Sequence, residues 1–270
     1  MISLKNVHKT FNKGSINEVY ALKGLDLHVN QGDWITIIGT NGSGKSTLLN
    51  AISGSFLPDN GTISIDGIDV TYLMEYERAK YISRVFQNPF QGTSPGMTIA
   101  ENLHLASLRG LKRFPKIGLR KNSIAEYQTA IMQLEMQLDS RLHNVIGSLS
   151  GGQRQAITLL MAVMQKPKVL LLDEHTAALD PKTAAQVLQL TERFIVNYGL
   201  TVIQVTHSMQ QALELGNRTI MMHKGKIIDD IPLQEKKHLT VDDMLDKFAD
   251  LRKNEQLTEN MLENLVNQYK

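Results

Sequence analysis

The sequence predicts an α/β protein: a mostly parallel sheet built around a glycine-rich loop, with an N-terminal antiparallel β part and an inserted α-helical part. Three observations carry this. Apolar and polar residues alternate through the first thirty positions, the signature of a half-exposed antiparallel sheet. A short apolar, β-prone run from Trp34 to Ile38 ends in a glycine-rich turn and then a helix. From Val169 onward, strand-like runs alternate with helical ones, the order expected of parallel strands joined by crossover helices.

Taken in order, Ile2, Leu4 and Val7, then Leu25, Leu27 and Val29, mark the first strands, with NKGSINEV a turn-rich loop between them. Trp34 to Ile38 reads as a buried strand, and a helix begins near Lys45. Thr62 to Ile65 is a further strand leading into DGIDVT, read as a turn. From about Asn88 to Gly147, Leu, Met, Ala, Arg, Lys and Gln dominate, which predicts a mostly helical insertion with KRFPKIGLRKN as an exposed basic loop. A helix from Ser150 to Gln165 stops at Pro167. Strands follow at Val169 to Leu172, Thr201 to Thr206, Arg218 to Met222 and Lys226 to Ile228, with a helix over Lys182 to Tyr198. The last forty residues are charged and amphipathic, as in a short helical tail.

Composition narrows the function. The 270 residues are 42% hydrophobic and 21% charged, enough for a sizeable core, and the net charge of +2 is too mild for a nucleic-acid binder. With no cysteine, disulfides, cysteine-based zinc sites and thiol catalysis are excluded. MISLKNVHKTF has no signal-peptide apolar stretch, and the most apolar window, Ile157 to Met164, is far short of the ~20 residues a membrane helix needs. Any membrane role is therefore expected to come through a partner.

Three motifs carry chemistry. Gly39-Thr-Asn-Gly-Ser-Gly-Lys-Ser-Thr47 matches G-x-x-x-x-G-K-[ST] between a strand and a helix. Its glycines let backbone N–H groups turn inward as an anion nest, and the helix N-terminus adds positive potential. Lys45 is then expected on the β- and γ-phosphates of a nucleotide and Ser46 on Mg²⁺. In Val169-Leu-Leu-Leu-Asp173-Glu174 a buried strand ends in two carboxylates, one suited to Mg²⁺ and the next to a water-activating base. Leu149-Ser-Gly-Gly-Gln153 opens a helix with a second potential anion site.

The order of these motifs, with a glutamine after a strand before LSGGQ and a histidine after a strand at the end, resembles the ABC ATPase family, a P-loop NTPase core, over about residues 1–230. The resemblance implies an ATPase domain at 1–230 with a helical subdomain at about 88–165, and a tail at 231–270. It implies nucleotide binding by Phe11, Gly39, Asn41, Gly42, Ser43, Gly44, Lys45, Ser46 and Thr47. Phe11 stacks on adenine in this reading, with Tyr20 as the alternative aromatic. Glu174, His207 and Gln87 take catalytic roles, and Ser46, Gln87 and Asp173 the Mg²⁺. Ser150, Gly151, Gly152 and Gln153 contact ATP held by another subunit, and Asp180 lies at the dimer interface. The implied cofactors are ATP and Mg²⁺. The implied partners are a second copy or a related ATPase subunit, an integral-membrane permease and an extracytoplasmic solute-binding protein. The implied place is peripheral, on the cytoplasmic face of the membrane.

Two departures refine this. His175 follows Glu174 where most transport ATPases have proline, and RQAITLLMAVMQKPK replaces the usual Ala-Arg-Ala-Leu helix. Together they resemble a bacterial subgroup paired with branched-chain amino-acid-like permeases, which implies import of an amino acid or similar solute. An exporter subunit, or a soluble ABC ATPase acting on a protein, are the competing readings. The stretch from Lys45 to Ser150 is too short for the long coiled coil of DNA-repair members. His175 is read as a packing residue or one that tunes the catalytic loop.

Overall fold

The structure, a computed structural model, describes residues 1–111 and 118–248; residues 112–117 of the basic loop and the tail from 249 onward lie outside the described residues. The chain opens with β1 (Ile2–Phe11) and β2 (Val19–Val29), an antiparallel pair with Ile2 opposite Val29 and Phe11 opposite Val19. Ile2, Leu4, Val7, Leu25, Leu27 and Val29 are buried, so the alternation in the sequence is one sheet face turned to the core. β3 (Trp34–Gly39) runs through the glycine loop into α1 (Lys45–Ser53), after which β4 (Asn60–Ile65) and β5 (Ile68–Asp69) return to the first sheet. DGIDVT is thus part strand. Asp66 and Gly67, at φ 51° and 74°, form a tight turn of the kind that requires positive φ at both central residues, and Ile68 pairs back onto Ile65. The first sheet has the order β2-β1-β4-β5.

Next come α2 (Glu75–Arg78), which the sequence reading does not place, and β6 (Ile82–Val85), the strand expected before Gln87. Then come α3 (Ile99–Ser107) and α4 (Lys121–Met132) of the insertion. The insertion is less helical than expected, since residues 88–98 and 133–145 are largely turns and bends. Pro89 and Pro95 interrupt the first stretch, and Glu135 and Gln137 adopt φ 55° in the second. The chain continues through α5 (Gly151–Val163), β7 (Val169–Asp173), α6 (Pro181–Tyr198), β8 (Thr201–Val205), α7 (Met209–Glu214), β9 (Arg218–His223), β10 (Lys226–Pro232) and α8 (Leu233–Lys236). The second sheet has the order β10-β9-β3-β8-β7-β6, parallel throughout except for the β9–β10 hairpin.

β7 shows why its sequence is an unbroken apolar run. Val169 and Leu171 pack into a core shared with α1 and the first sheet, while Leu170 and Leu172 pack into a core shared with α3 to α6. Both faces are covered, so no position is left for a polar residue until the strand ends at Asp173. Parallel β3, β7 and β8 therefore deliver Gly39, Asp173 and the residues just after Val205 to one edge of the sheet.

Candidate functional site

At that edge lies a cleft of about 310 Å³, lined by Phe11, Val19, Ala21, Asn41, Gly42, Ser43, Gly44, Lys45, Ser46, Thr47, Glu174 and His207. Two glycines are sterically required to shape it. A Cβ on Gly39 would come within 2.3 Å of the Met222 carbonyl, and one on Gly44, at φ 99°, within 2.8 Å of the Ala21 carbonyl. Lys45 is buried with its Nζ donating to the carbonyls of Gly39 and Thr40 at 2.9 and 3.1 Å. Desolvation holds its ammonium below the usual value, against the opposing pull of Glu174 and Asp173. The Ser43 hydroxyl is buried without a protein partner. A buried ammonium and an orphan hydroxyl beside the N-terminus of α1 make a receptacle for phosphate oxygens.

Glu174 follows Asp173 with a left-handed backbone, φ 49°, and its carboxylate meets His207 Nε2 at 2.6 Å. The Glu174 side chain is 10% exposed and that of His207 50%, so the pair is sheltered on one side and open to the cleft on the other. Asp173 ends β7 just outside the lining, engaged by Arg84. For Mg²⁺ the donor set fits. Ser46 and Asp173 offer hard oxygen ligands, and this ion takes few from protein and keeps the rest of its shell for phosphate and water. No group of three or more His, Cys, Asp or Glu side chains placed to hold a metal ion is found among the described residues.

Of the two aromatic candidates, Phe11 lines the cleft and packs edge-on against Phe56 at 5.3 Å. Tyr20 instead stacks on His8 and hydrogen-bonds it through its hydroxyl. Gln87 lies exposed just after β6 and outside the cleft lining, so the structure does not bring it to Lys45. The segment around Gln87 is tied to the insertion, since Gln155 donates to the Phe86 carbonyl at 3.1 Å and the Arg154 guanidinium stacks 3.7 Å from the Phe90 ring.

LSGGQ also stands apart from the cleft. Ser150 caps α5, its hydroxyl accepting from Gln153 N–H while the Gln153 side chain accepts from Ser150 N–H. Ser150 and Gly151 are exposed. Gly152 is buried, and a Cβ there would meet Thr183 Cγ2 at 2.0 Å. Asp180 caps α6 by accepting from Thr183 N–H, and hydrogen bonds from the Thr183 side chain and then its amide hold its carboxyl below the usual value. His175 is wholly buried, with Nε2 beside Thr191 Oγ1 at 3.1 Å; burial pushes the ring down to about 4 and keeps it neutral. Sequence reading missed Arg84, Val19 and Ala21. The charge within the otherwise strand-like run ISRVF was the available signal for the first. Only strand register could have supplied the other two.

The ABC transporter family matches residues 22–177. A tyrosine transport ATP-binding protein of Clostridioides difficile is 42% identical over 251 residues, covering 92% of this chain and 98% of that one. The methionine import ATP-binding protein MetN 1 of Bacillus thuringiensis is 35% identical over 85% of this chain and 66% of its own length. Among solved structures, the dimeric post-hydrolysis state of the cassette MJ0796 bound to ADP and Pi is similar at TM-score 0.74 and 31% identity, over 86% of this chain and 99% of that one. The ADP conformation of MJ1267, a cassette of an ABC transporter, reaches TM-score 0.75 at 27% identity, over 92% and 98%.

Proposed function

Because this chain belongs to the ABC transporter family, as an ATP-binding and ATP-hydrolysing subunit, we propose that it energises the import of an amino acid through a separate membrane permease. The observation that carries the catalytic reading is the convergence of Lys45, Glu174 and His207 on one cleft. Lys45 exchanges its two loop carbonyls for β- and γ-phosphate oxygens, which are stronger acceptors. The Glu174 carboxylate takes the proton of the attacking water, and His207, held against it, orients the carboxylate and faces the γ-phosphate. Mg²⁺, when bound through Ser46 and Asp173, supplies charge neutralisation of the phosphates. Gln87 reaches the water and the ion only when the segment after β6 moves toward the cleft. The exposed α5 N-terminus contacts the γ-phosphate of ATP held by the partner copy, with Asp180 at the same interface.

No helix among the described residues is long and apolar enough to cross a membrane; the pore is assigned to the permease, and the chain to the cytoplasmic face of the membrane. A groove of about 850 Å³ between α2 and the end of α3, lined by Leu73, Tyr76, Lys80, Leu105, Arg109 and Leu111, suits an amphipathic permease helix. Tyr76 and Leu111 are 77% and 57% exposed there, more apolar surface than an unpartnered groove needs. The tyrosine and methionine relatives support an amino acid as the solute, delivered by an extracytoplasmic binding protein. The test is reconstitution of the chain with the permease and binding protein encoded beside it. Tyrosine, methionine or another amino acid should stimulate ATP hydrolysis and accumulate in the vesicles; stimulation only by solutes leaving the vesicles would make it an exporter.

A further inference from the structure

Arg84 has no part in the chemistry above, yet it is built into the site. Its side chain is 11% exposed and that of Asp173 14%. Nη2 donates to Asp173 Oδ2 and Nη1 to Asn50 Oδ1, each at 2.5 Å. The guanidinium lies 4.7 Å from the Phe86 ring centroid. Strand register explains the encounter. Arg84 pairs with Leu171 on the parallel neighbour β7, and Leu171 and Asp173 share a sheet face, so the long side chain rises along that face to the carboxylate. Asn50, from α1, fixes the other half of the fork. Nε is buried without an acceptor. A charge placed on a short, largely buried strand gains little stability over an apolar residue. Its position against a single carboxylate calls for another reason.

We propose that Arg84 is a positioning residue, the resident counter-cation of Asp173, and that it weakens the site's hold on Mg²⁺. This rests on Asp173 being a magnesium ligand, as assigned above. An ion pair so sheltered is poorly screened by salt. A divalent ion arriving at Asp173 must displace the guanidinium or share the carboxylate with it, and in either case it meets a site already neutralised and carrying an extra positive charge. The consequence is a loosely held Mg²⁺ that leaves readily with ADP after hydrolysis.

The test is Mg²⁺ titration of fluorescent-ATP binding to the full chain, starting from EDTA, for wild type, Arg84→Met and Arg84→Lys. The half-saturating Mg²⁺ concentration should fall about tenfold in Arg84→Met. It should stay near wild type in Arg84→Lys, which keeps the charge. If Arg84→Met does not fold, Arg84→Gln, which can donate to Asp173 without charge, should show the same fall. An unchanged or higher half-saturation in the neutral variant, or an equal fall in Arg84→Lys, overturns the proposal. A purely structural role would lower the melting temperature and leave the Mg²⁺ midpoint where it is. Wild-type binding that ignores Mg²⁺ altogether would overturn the Asp173 assignment and this proposal with it.

Discussion

Glu174 holds a left-handed backbone, φ 49°, which costs a residue with a side chain about 1–2 kcal/mol. Two contacts keep it there: its amide donates to the Val205 carbonyl at 3.1 Å, and its carboxylate meets His207 at 2.6 Å. Strain retained at such a point is repaid if it turns the carboxylate off the line of β7 and onto the cleft wall. A general base of this kind contributes about 10²–10⁴-fold. Glu174→Gln should therefore lower steady-state ATP hydrolysis by that factor while nucleotide binding, followed by fluorescent-ATP titration, stays at the wild-type level. Turnover near wild type would take Glu174 out of the role. Phe11 permits a sharper test. If it stacks on adenine, Phe11→Ala should weaken ATP binding about 3- to 10-fold and Tyr20→Ala should not, because Tyr20 is occupied by His8; the opposite result would return the choice to Tyr20. Lys45, Asp173 and Glu174 were legible in the sequence because short motifs tie them to strand ends. The choice between Phe11 and Tyr20 was not, because it depends on the pairing of Phe11 with Val19 and of Thr10 with Tyr20. Arg84 was missed for a related reason: a charge inside a four-residue strand looks like surface until β7 is known to end beside it.

Among the elements, α1 has the phosphate loop at one end and Arg78 at the other. The Arg78 side chain is fully buried and donates to the carbonyls of Ala51 and Ile52, in the last turn of α1, at 2.7 and 2.9 Å. It also donates to Leu73 and Thr71 at 2.8 and 3.0 Å. Carbonyls at a helix C-terminus lack intrahelical partners and carry negative potential, so a guanidinium fork suits them. Burial lowers its pKa only to about 10, and it stays charged at neutral pH. Arg78→Met would leave these acceptors buried and unpaired, at a cost of about 3–5 kcal/mol. The melting temperature by scanning calorimetry should fall by roughly 10 °C, with Arg78→Lys recovering part of it. A drop no larger than that of an exposed substitution such as Lys80→Met would show that water satisfies the carbonyls instead. α2, which carries Arg78, is a single turn and left no periodicity to read. Strands were legible in two ways: β3, β7 and β8 as apolar runs, because they are buried on both faces, and β1 and β2 as alternation, because one face packs on the core. The insertion was over-read as helix because its composition favours helix while its prolines and two left-handed residues break it.

At the scale of the whole molecule, the proposed function has one chain carry two halves of a site that do not meet. The phosphate loop lines the cleft, whereas Ser150 and Gly151 sit exposed at the tip of α5, outside that lining. The tip is capped, and Gly152 packs so closely on Thr183 that a Cβ there would lie 2.0 Å from Thr183 Cγ2, which sets α5 directly against the first turn of α6 that Asp180 caps. A helix N-terminus carries roughly half a positive charge, which is best used on a phosphate. A two-fold dimer would satisfy both halves at once, each tip closing over the other copy's cleft. Complementation distinguishes this from closure within one chain. On a Glu174→Gln background, Lys45→Ala spoils the loop and Ser150→Arg spoils the tip, so either variant alone should fail to form the ATP-dependent species of twice the 30.2 kDa chain mass. In a mixture, the heterodimer pairs the intact loop of one chain with the intact tip of the other. Light scattering with ATP should then recover a dimer that retains nucleotide at one site. Were loop and tip to act within the same chain, each polypeptide in the mixture would still carry a spoiled half and no dimer would return.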